Sequence, residues 1–181
     1  MVNDDATDPR ILRSRERILA AAAELVAEHG IAGIGVEHIA KHSGVAKTTI
    51  YRHWPTLPEL LIAALDRALP DAPSAPDTGD PARDVAGYLS ALGASFDQRS
   101  AALVASLGAA ARSDPAFAEL NRAFVRQRRE PLRALLAGAG YSGVDTLLAA
   151  LGGAVFYWLI VTNEPVTREA VDELVRRVLP H

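Results

Sequence analysis

The chain has 181 residues, of which 49% are hydrophobic and 23% charged, a composition typical of a folded protein with a buried apolar core. It contains no cysteine, which excludes disulfide frameworks, thiolate metal sites and cysteine nucleophiles. The net charge is −3, but residues 10–60 hold seven Lys and Arg against five Asp and Glu, so that this segment alone suits an anionic partner.

The beginning of the chain is polar and acidic. We expect residues 1–12 to form a disordered tail without an export signal, and therefore a cytoplasmic location. A first helix is predicted over residues 14–29, because apolar residues recur at helical spacing from Ile18 to Val26. Gly30 is a suitable stop for this helix.

Three shorter elements follow the first helix. A second helix is predicted from Val36 to His42 and ends near Gly44, which can take the positive φ of a tight turn. A third helix is predicted over residues 46–53. Thr56 is a suitable N-cap for a fourth helix.

Residues 70–81 are rich in proline and aspartate and contain no large apolar side chain, which predicts a linker. Further helices are expected at about 81–97, 100–112, 115–139, 143–163 and 167–179. The sequence thus predicts an all-α protein of about nine helices, with a tri-helical domain over residues 13–56 and a larger helical domain over residues 57–181.

The most apolar stretch, from Leu147 to Val161, has 15 residues. A helix that spans a membrane needs roughly 20 residues. We therefore expect a helix that is buried in protein, and no membrane partner.

The second and third helices, joined by a glycine-containing turn and braced by the first helix, match the plan of a helix-turn-helix. In that plan the last helix enters the major groove of DNA. The apolar residues Val45, Ile50 and Trp54 would hold this recognition helix to its neighbours. Its other face carries hydrogen-bond donors for base edges and phosphates and no acidic residue, namely Lys47, Thr48, Thr49, Tyr51 and Arg52.

Three segments resemble the DNA-binding domain of the TetR family of bacterial transcription regulators: ILAAA at 18–22, VEHIA at 36–40 and GVAKTTIYRHW at 44–54. The resemblance extends over about residues 12–65. It implies that bases are read by Lys47, Thr48, Thr49 and Arg52. It also implies phosphate contacts from Tyr51 and His53, to which Arg13, Arg15 and Arg17 of the first helix would add.

Two positions depart from the family pattern. The family often has a threonine at the start of the second helix, where this chain has Gly35 or Val36, and a lysine at the start of the fourth, where it has Leu57. We expect no phosphate contact at these two places.

The end of the chain resembles the last two helices of the same family, which implies a homodimer that reads a palindromic operator in double-stranded DNA. The predicted dimer interface consists of Leu148, Leu151, Gly152, Val155, Phe156, Leu159, Leu174 and Val178. The resemblance also implies a pocket for an unknown small-molecule effector, with candidate lining residues Phe96, Arg99, Leu103, Phe117, Phe124 and Tyr157.

The function predicted from the sequence is sequence-specific DNA binding by a transcriptional regulator, most simply a repressor that an effector releases. The alternative is a helical interaction protein of the same fold that does not bind an operator. An enzyme is not expected, because the chain shows no catalytic triad spacing, phosphate-binding glycine loop or metal cluster. His29, His38 and His42 are interpreted as surface residues, and no cofactor or metal is expected.

Overall fold

The computed structural model describes residues 9–179, and this part of the chain folds into nine α-helices without a strand, as the sequence predicted. The helices are α1 (Pro9–His29), α2 (Val36–Ser43), α3 (Lys47–His53), α4 (Leu57–Ala68), α5 (Pro81–Ser95), α6 (Gln98–Ser113), α7 (Pro115–Gly138), α8 (Val144–Phe156) and α9 (Arg168–Val178).

The first helix begins earlier than predicted. It is already helical at Pro9, the first described residue, and a proline near the start of a helix loses no hydrogen bond. The predicted disordered tail is therefore wrong for residues 9–12, which are helical. Residues 1–8 of that tail lie outside the described residues.

The predicted stops and caps of the N-terminal helices are present. Gly30 and Gly44 both have positive φ, +72° and +66°, so each can end a helix where a residue with a Cβ would be strained. The Thr56 hydroxyl accepts a hydrogen bond of 3.4 Å from the backbone N–H of Glu59 at the start of α4. Gly44 in particular allows the tight three-residue turn between α2 and α3.

The chain divides into two compact units, each with its own core. The first contains the chain up to Leu69 together with Ala102–Arg122, and the second contains Pro70–Ala101 and the chain from Ala123 onward. Both α6 and α7 contribute residues to each unit. The domain boundaries predicted from the sequence, 13–56 and 57–181, remain a prediction.

The core of the first unit brings together the apolar faces of α1 to α4. Ile18, Ile39 and Ile50, one each from α1, α2 and α3, are all fully buried. The predicted inward residues of α4, Leu60 and Leu65 among them, are fully buried as well. This packing fixes α2 and α3 to α1, since truncating one such side chain costs about 2–5 kcal/mol.

The second unit has a separate core, formed by α5, α8, α9 and the C-terminal part of α7. Its largest fully buried side chain is Tyr88 of α5. At Gly93 the packing leaves no room for a side chain, because a Cβ there would lie 2.5 Å from the Cβ of Val166. The linker is held onto this unit by the buried Asp84, whose carboxylate accepts bonds from the N–H (3.0 Å) and hydroxyl (2.7 Å) of Thr78.

The apolar helix near the C-terminus differs from its prediction in two ways. It is α-helical over Val144–Phe156 and continues as a π-helix over Tyr157–Thr162, and it ends at Asn163, whose φ is +54°. The combined helix has 19 residues, longer than the apolar stretch seen in the sequence, and by length and composition alone it would suffice to cross a membrane. Only 22% of its most apolar window is buried, so the prediction of a helix buried on all sides is wrong for the single chain.

Candidate nucleic-acid interface

The recognition helix α3 is anchored by two side chains on one face. Ile50 is fully buried and Trp54 is 5% exposed, which confirms the inward position predicted for both, while Val45 is half-buried. The turn before α3 is stabilised by Ser43, whose hydroxyl accepts a 3.3 Å bond from the N–H of Val45. Helix α3 is therefore held in a fixed orientation against α1 and α2.

The other face of α3 carries the predicted DNA contacts. Lys47, Thr48, Tyr51 and Arg52 are exposed, and Thr49 and His53 are half-buried. All six therefore keep some access to solvent on a short helix with no acidic residue of its own. Their contacts with DNA remain a prediction.

The three arginines of α1 that were predicted to contact phosphates are all exposed, but two of them also make contacts within the protein. Arg17 donates a hydrogen bond to the carbonyl of Ser43 at the end of α2. The guanidinium of Arg15 lies over the Trp54 ring, 5.3 Å from its centroid, in a cation–π arrangement. Arg15 and Arg17 thus help to fix the helix-turn-helix, in addition to the phosphate contacts predicted for them and for Arg13.

An acidic residue lies beside the recognition helix, although that helix has none itself. The Glu37 Oε1 atom in the first turn of α2 accepts a 2.9 Å hydrogen bond from Lys47 Nζ. This bond lowers the pKa of the Glu37 carboxyl and raises the pKa of the Lys47 ammonium. Sequence reasoning missed Glu37, because the two residues are ten positions apart and only the crossing of α2 and α3 brings them together.

The histidines of this unit have local roles. His38 Nδ1 accepts a 3.0 Å bond from the N–H of Gly35, the N-cap of α2, where a side-chain cap is missing. His42 Nε2 lies 3.0 Å from Glu24 Oε2 of α1. Burial, followed by the positive charges of Arg15 and Arg52, lowers the pKa of His53. Within residues 9–179 no three His, Asp or Glu side chains are grouped in a way that could hold a metal ion.

The predicted lining residues of the effector pocket have different environments. Leu103, Phe117 and Phe124 are buried, Phe96 is half-buried with its ring edge-on to Phe156 at 6.3 Å, and Arg99 and Tyr157 are exposed. Leu103 and Phe117 belong to the first unit and the other four to the second.

Each unit contains a cavity of a size that suits a small molecule. The cavity of the first unit, about 350 Å³, lies between the loop after α1 and the end of α6, and Phe117 is the only predicted lining residue on its wall. The cavity of the second unit, about 370 Å³, lies between α5 and α9 and includes none of the six. Its polar lining residues include Arg83, Arg168 and Asp172.

The predicted dimer interface needs a correction. Leu148, Leu151 and Val155 are buried in the core of their own chain, so they are not available to a partner. Gly152 is buried as well, although a Cβ there would meet no neighbour within 4 Å. An apolar helix can direct either side inward, and only packing against α5 and α9 decided which one. The other four predicted residues, Phe156, Leu159, Leu174 and Val178, are half-buried.

The opposite side of the same helix is exposed and still apolar. We define the exposed α8 face as Ala149, Ala150 and Gly153 of α8 together with Tyr157 and Val161 of its π-helical continuation. From Ala149 onward these residues recur every four positions, with Ala150 next to Ala149. Val161 is 69% and Tyr157 53% exposed, and both are large apolar side chains. An exposed apolar surface of this kind is typical of a site that contacts another protein or a membrane.

Two family models match the chain and together span most of it. Residues 18–64 match the N-terminal domain described as "Bacterial regulatory proteins, tetR family", and residues 75–178 match "Tetracyclin repressor-like, C-terminal domain". The first match contains α2, α3 and most of α4, and the second contains the helices from α5 to α9.

Individual relatives and solved structures are similar to this chain over nearly its whole length. The HTH-type transcriptional regulator YdeS of Bacillus subtilis is 27% identical over 92% of this chain and 88% of its own length. A transcriptional regulator from Rhodococcus sp. Rha1 is 28% identical with a TM-score of 0.71, covering 91% of this chain and 95% of that one. The multidrug binding protein EbrR in complex with ethidium is 28% identical with a TM-score of 0.69, and the match covers 93% of this chain and 99% of EbrR.

Proposed function

Since the chain belongs to the TetR family of bacterial transcriptional regulators and is a DNA-binding regulator, we propose that it is a homodimeric repressor of a palindromic operator, released by a small-molecule effector. The observation that carries this proposal is the exposed polar face of α3, held in place by Ile50 and Trp54. In a helix-turn-helix, the N-terminal residues of such a helix contact base edges in the major groove.

The proposed roles of the residues on this surface rest on the resemblance to the TetR family, and side-chain chemistry is consistent with them. Lys47, Thr48, Thr49 and Arg52 read bases, because their donors and hydroxyls match the groups that base pairs display in the major groove. Tyr51 and His53, together with Arg13, Arg15 and Arg17, hold phosphates and set the position of α3.

The exposed α8 face supports the proposed homodimer. Two copies of this face, related by a two-fold axis, would cover each other's Tyr157 and Val161, and Gly153 would let the helices approach closely. Half-buried residues beside it, Phe156, Leu159, Leu174 and Val178, would extend the interface. A dimer would present two recognition helices to half-sites about 34–36 Å apart, which requires a palindrome. This contact accounts for the apolar helix without a membrane and suits a cytoplasmic protein.

The proposed release by an effector needs two conformational states with different affinities for DNA. EbrR, which this chain resembles, binds ethidium, and this supports a ligand for the present protein too. The cavities of about 350 and 370 Å³ are within the range of small-molecule sites. An effector that favours one spacing of the recognition helices would lower the affinity for the operator.

The test is selection of bound sequences from random duplex DNA at roughly physiological salt, where binding by charge alone is weak. Enrichment of a palindrome by the wild-type protein supports a dimeric operator-binding regulator. Failure of a folded dimer to enrich any sequence would instead favour a helical interaction protein. Compounds that raise the dissociation constant for the selected operator would then identify the effector class.

A further inference from the structure

The contact between Glu37 and Lys47 is unusual for a surface that binds DNA. Phosphates repel a carboxylate, yet Glu37 lies 2.9 Å from the first residue of the recognition helix and its side chain is 68% exposed. The partner Lys47 is 52% exposed. An acid in the first turn of α2 gains modestly from the helix dipole, but that gain needs no partner on α3. Ion pairs between exposed side chains contribute little to folding, so stability alone does not explain why this acid is paired with the recognition helix.

The neighbouring backbone leaves space for this carboxylate. A Cβ at Gly35 would lie 3.2 Å from Glu37 Oε2, closer than ordinary van der Waals contact. The N–H of Gly35 is already bound to His38 Nδ1 at 3.0 Å. Gly35 therefore allows the carboxylate to lie beside the start of α2, with its other oxygen, Oε1, on Lys47.

A paired ammonium and carboxylate match one particular base pair. In the major groove guanine displays the acceptors O6 and N7, while cytosine displays the N4 amino donor. O6 and N4 are neighbours, because they hydrogen-bond to each other across the base pair. A lysine that donates to guanine beside a glutamate that accepts from cytosine satisfies both groups, and the glutamate is then directed at a base and away from phosphates.

On the basis of the proposed operator binding, we propose that Glu37 is a specificity-determining residue, which with Lys47 reads one G·C base pair in each half-site. Lys47 donates to the guanine and Glu37 accepts from the N4 amino group of the cytosine. Glu37 also positions Lys47, because their hydrogen bond restricts the lysine before DNA arrives. The pair has no net charge, so it adds selectivity and little non-specific affinity.

The experiment compares sequences selected from random duplex DNA by the wild-type protein, by Glu37→Gln and by the control Glu24→Gln. Glu24 of α1 is also an exposed glutamate in a cross-helix contact, at 3.0 Å from His42, but that contact lies at the opposite end of α2 from Glu37. With E37Q we expect discrimination at one G·C position of each half-site to fall about tenfold, and the other positions to keep their preference. E24Q should select the wild-type sequence.

A second comparison tests whether the two side chains act as one unit. In a Lys47→Met background, Glu37→Gln should have little further effect on base preference, whereas independent residues would give additive effects. Additive effects would overturn the inference. So would an E37Q variant that keeps the wild-type preference at every position, or one that strengthens binding to all sequences equally. If the wild-type protein enriches no sequence, the proposed function itself fails, which is distinguishable from these results.

Discussion

Two valines on opposite sides of the same helix test the proposal that the exposed α8 face is the dimer interface. Val161 is 69% exposed and Val155 is 1% exposed, so the same change to alanine removes the same atoms from opposite sides. If the exposed α8 face is the dimer interface, Val161→Ala should weaken association and leave the folded chain intact. Val155→Ala should instead lower the stability of the chain.

The expected magnitudes follow from the area that each side chain buries. Removing two carbons from Val161 loses about 1 kcal/mol per copy at about 0.8 kcal/mol per buried CH₂, after allowance for the part already covered. A symmetric dimer loses about 2 kcal/mol, which raises its dissociation constant about 30-fold. Val155→Ala leaves a cavity in the core and should lower the free energy of unfolding by about 2–3 kcal/mol.

Sedimentation equilibrium measures the dissociation constant, and urea unfolding at several protein concentrations separates the stability of the chain from association. The reasoning is refuted if Val161→Ala leaves the dissociation constant unchanged. It is also refuted if Val155→Ala weakens association while the free energy of unfolding stays the same.

Three further predictions concern DNA binding, packing and pH. Lys47→Ala should relax base preference in selection from random DNA, whereas Arg15→Ala should weaken all DNA about equally; the reverse result would exchange their proposed roles. Gly93→Ala should lower the free energy of unfolding by about 1–3 kcal/mol, because the new Cβ is overpacked against Val166. At Gly108 a Cβ meets no neighbour within 4 Å, so Gly108→Ala should raise the free energy of unfolding by about 0.5–1 kcal/mol. Calorimetry can check both values. His53 has a lowered pKa in the folded chain, so the unfolded chain binds the proton more readily, and stability should fall as pH drops below about 6.5. A His53→Asn variant should lose part of this dependence below about pH 6.5, and urea unfolding that shows the same pH dependence for both proteins would contradict it.

Much of the first unit could be predicted from local signals. Gly44 needs a positive φ, Thr56 has a hydroxyl to cap α4, and the apolar residues of α1 recur at helical spacing. Each of these signals depends on a few neighbouring residues, so it can be predicted directly from the sequence. The inward position of Trp54 was predictable for the same reason.

The charge environment of the recognition helix was not predictable in this way. Glu37 approaches Lys47, and Arg15 approaches Trp54, only after α1, α2 and α3 have packed together. No spacing rule within one helix applies to residues that are ten or more positions apart on different helices.

The sequence by itself therefore determined the all-α class, the positions of the helices and the family, because periodicity, caps and a motif are local properties of the chain. Tertiary structure alone decided which side of α8 enters the core and which side remains exposed. A helix that is apolar on all sides gives no local preference between these orientations. The choice comes from the free energy of packing Leu151 and Val155 against α5 and α9, which leaves Tyr157 and Val161 exposed.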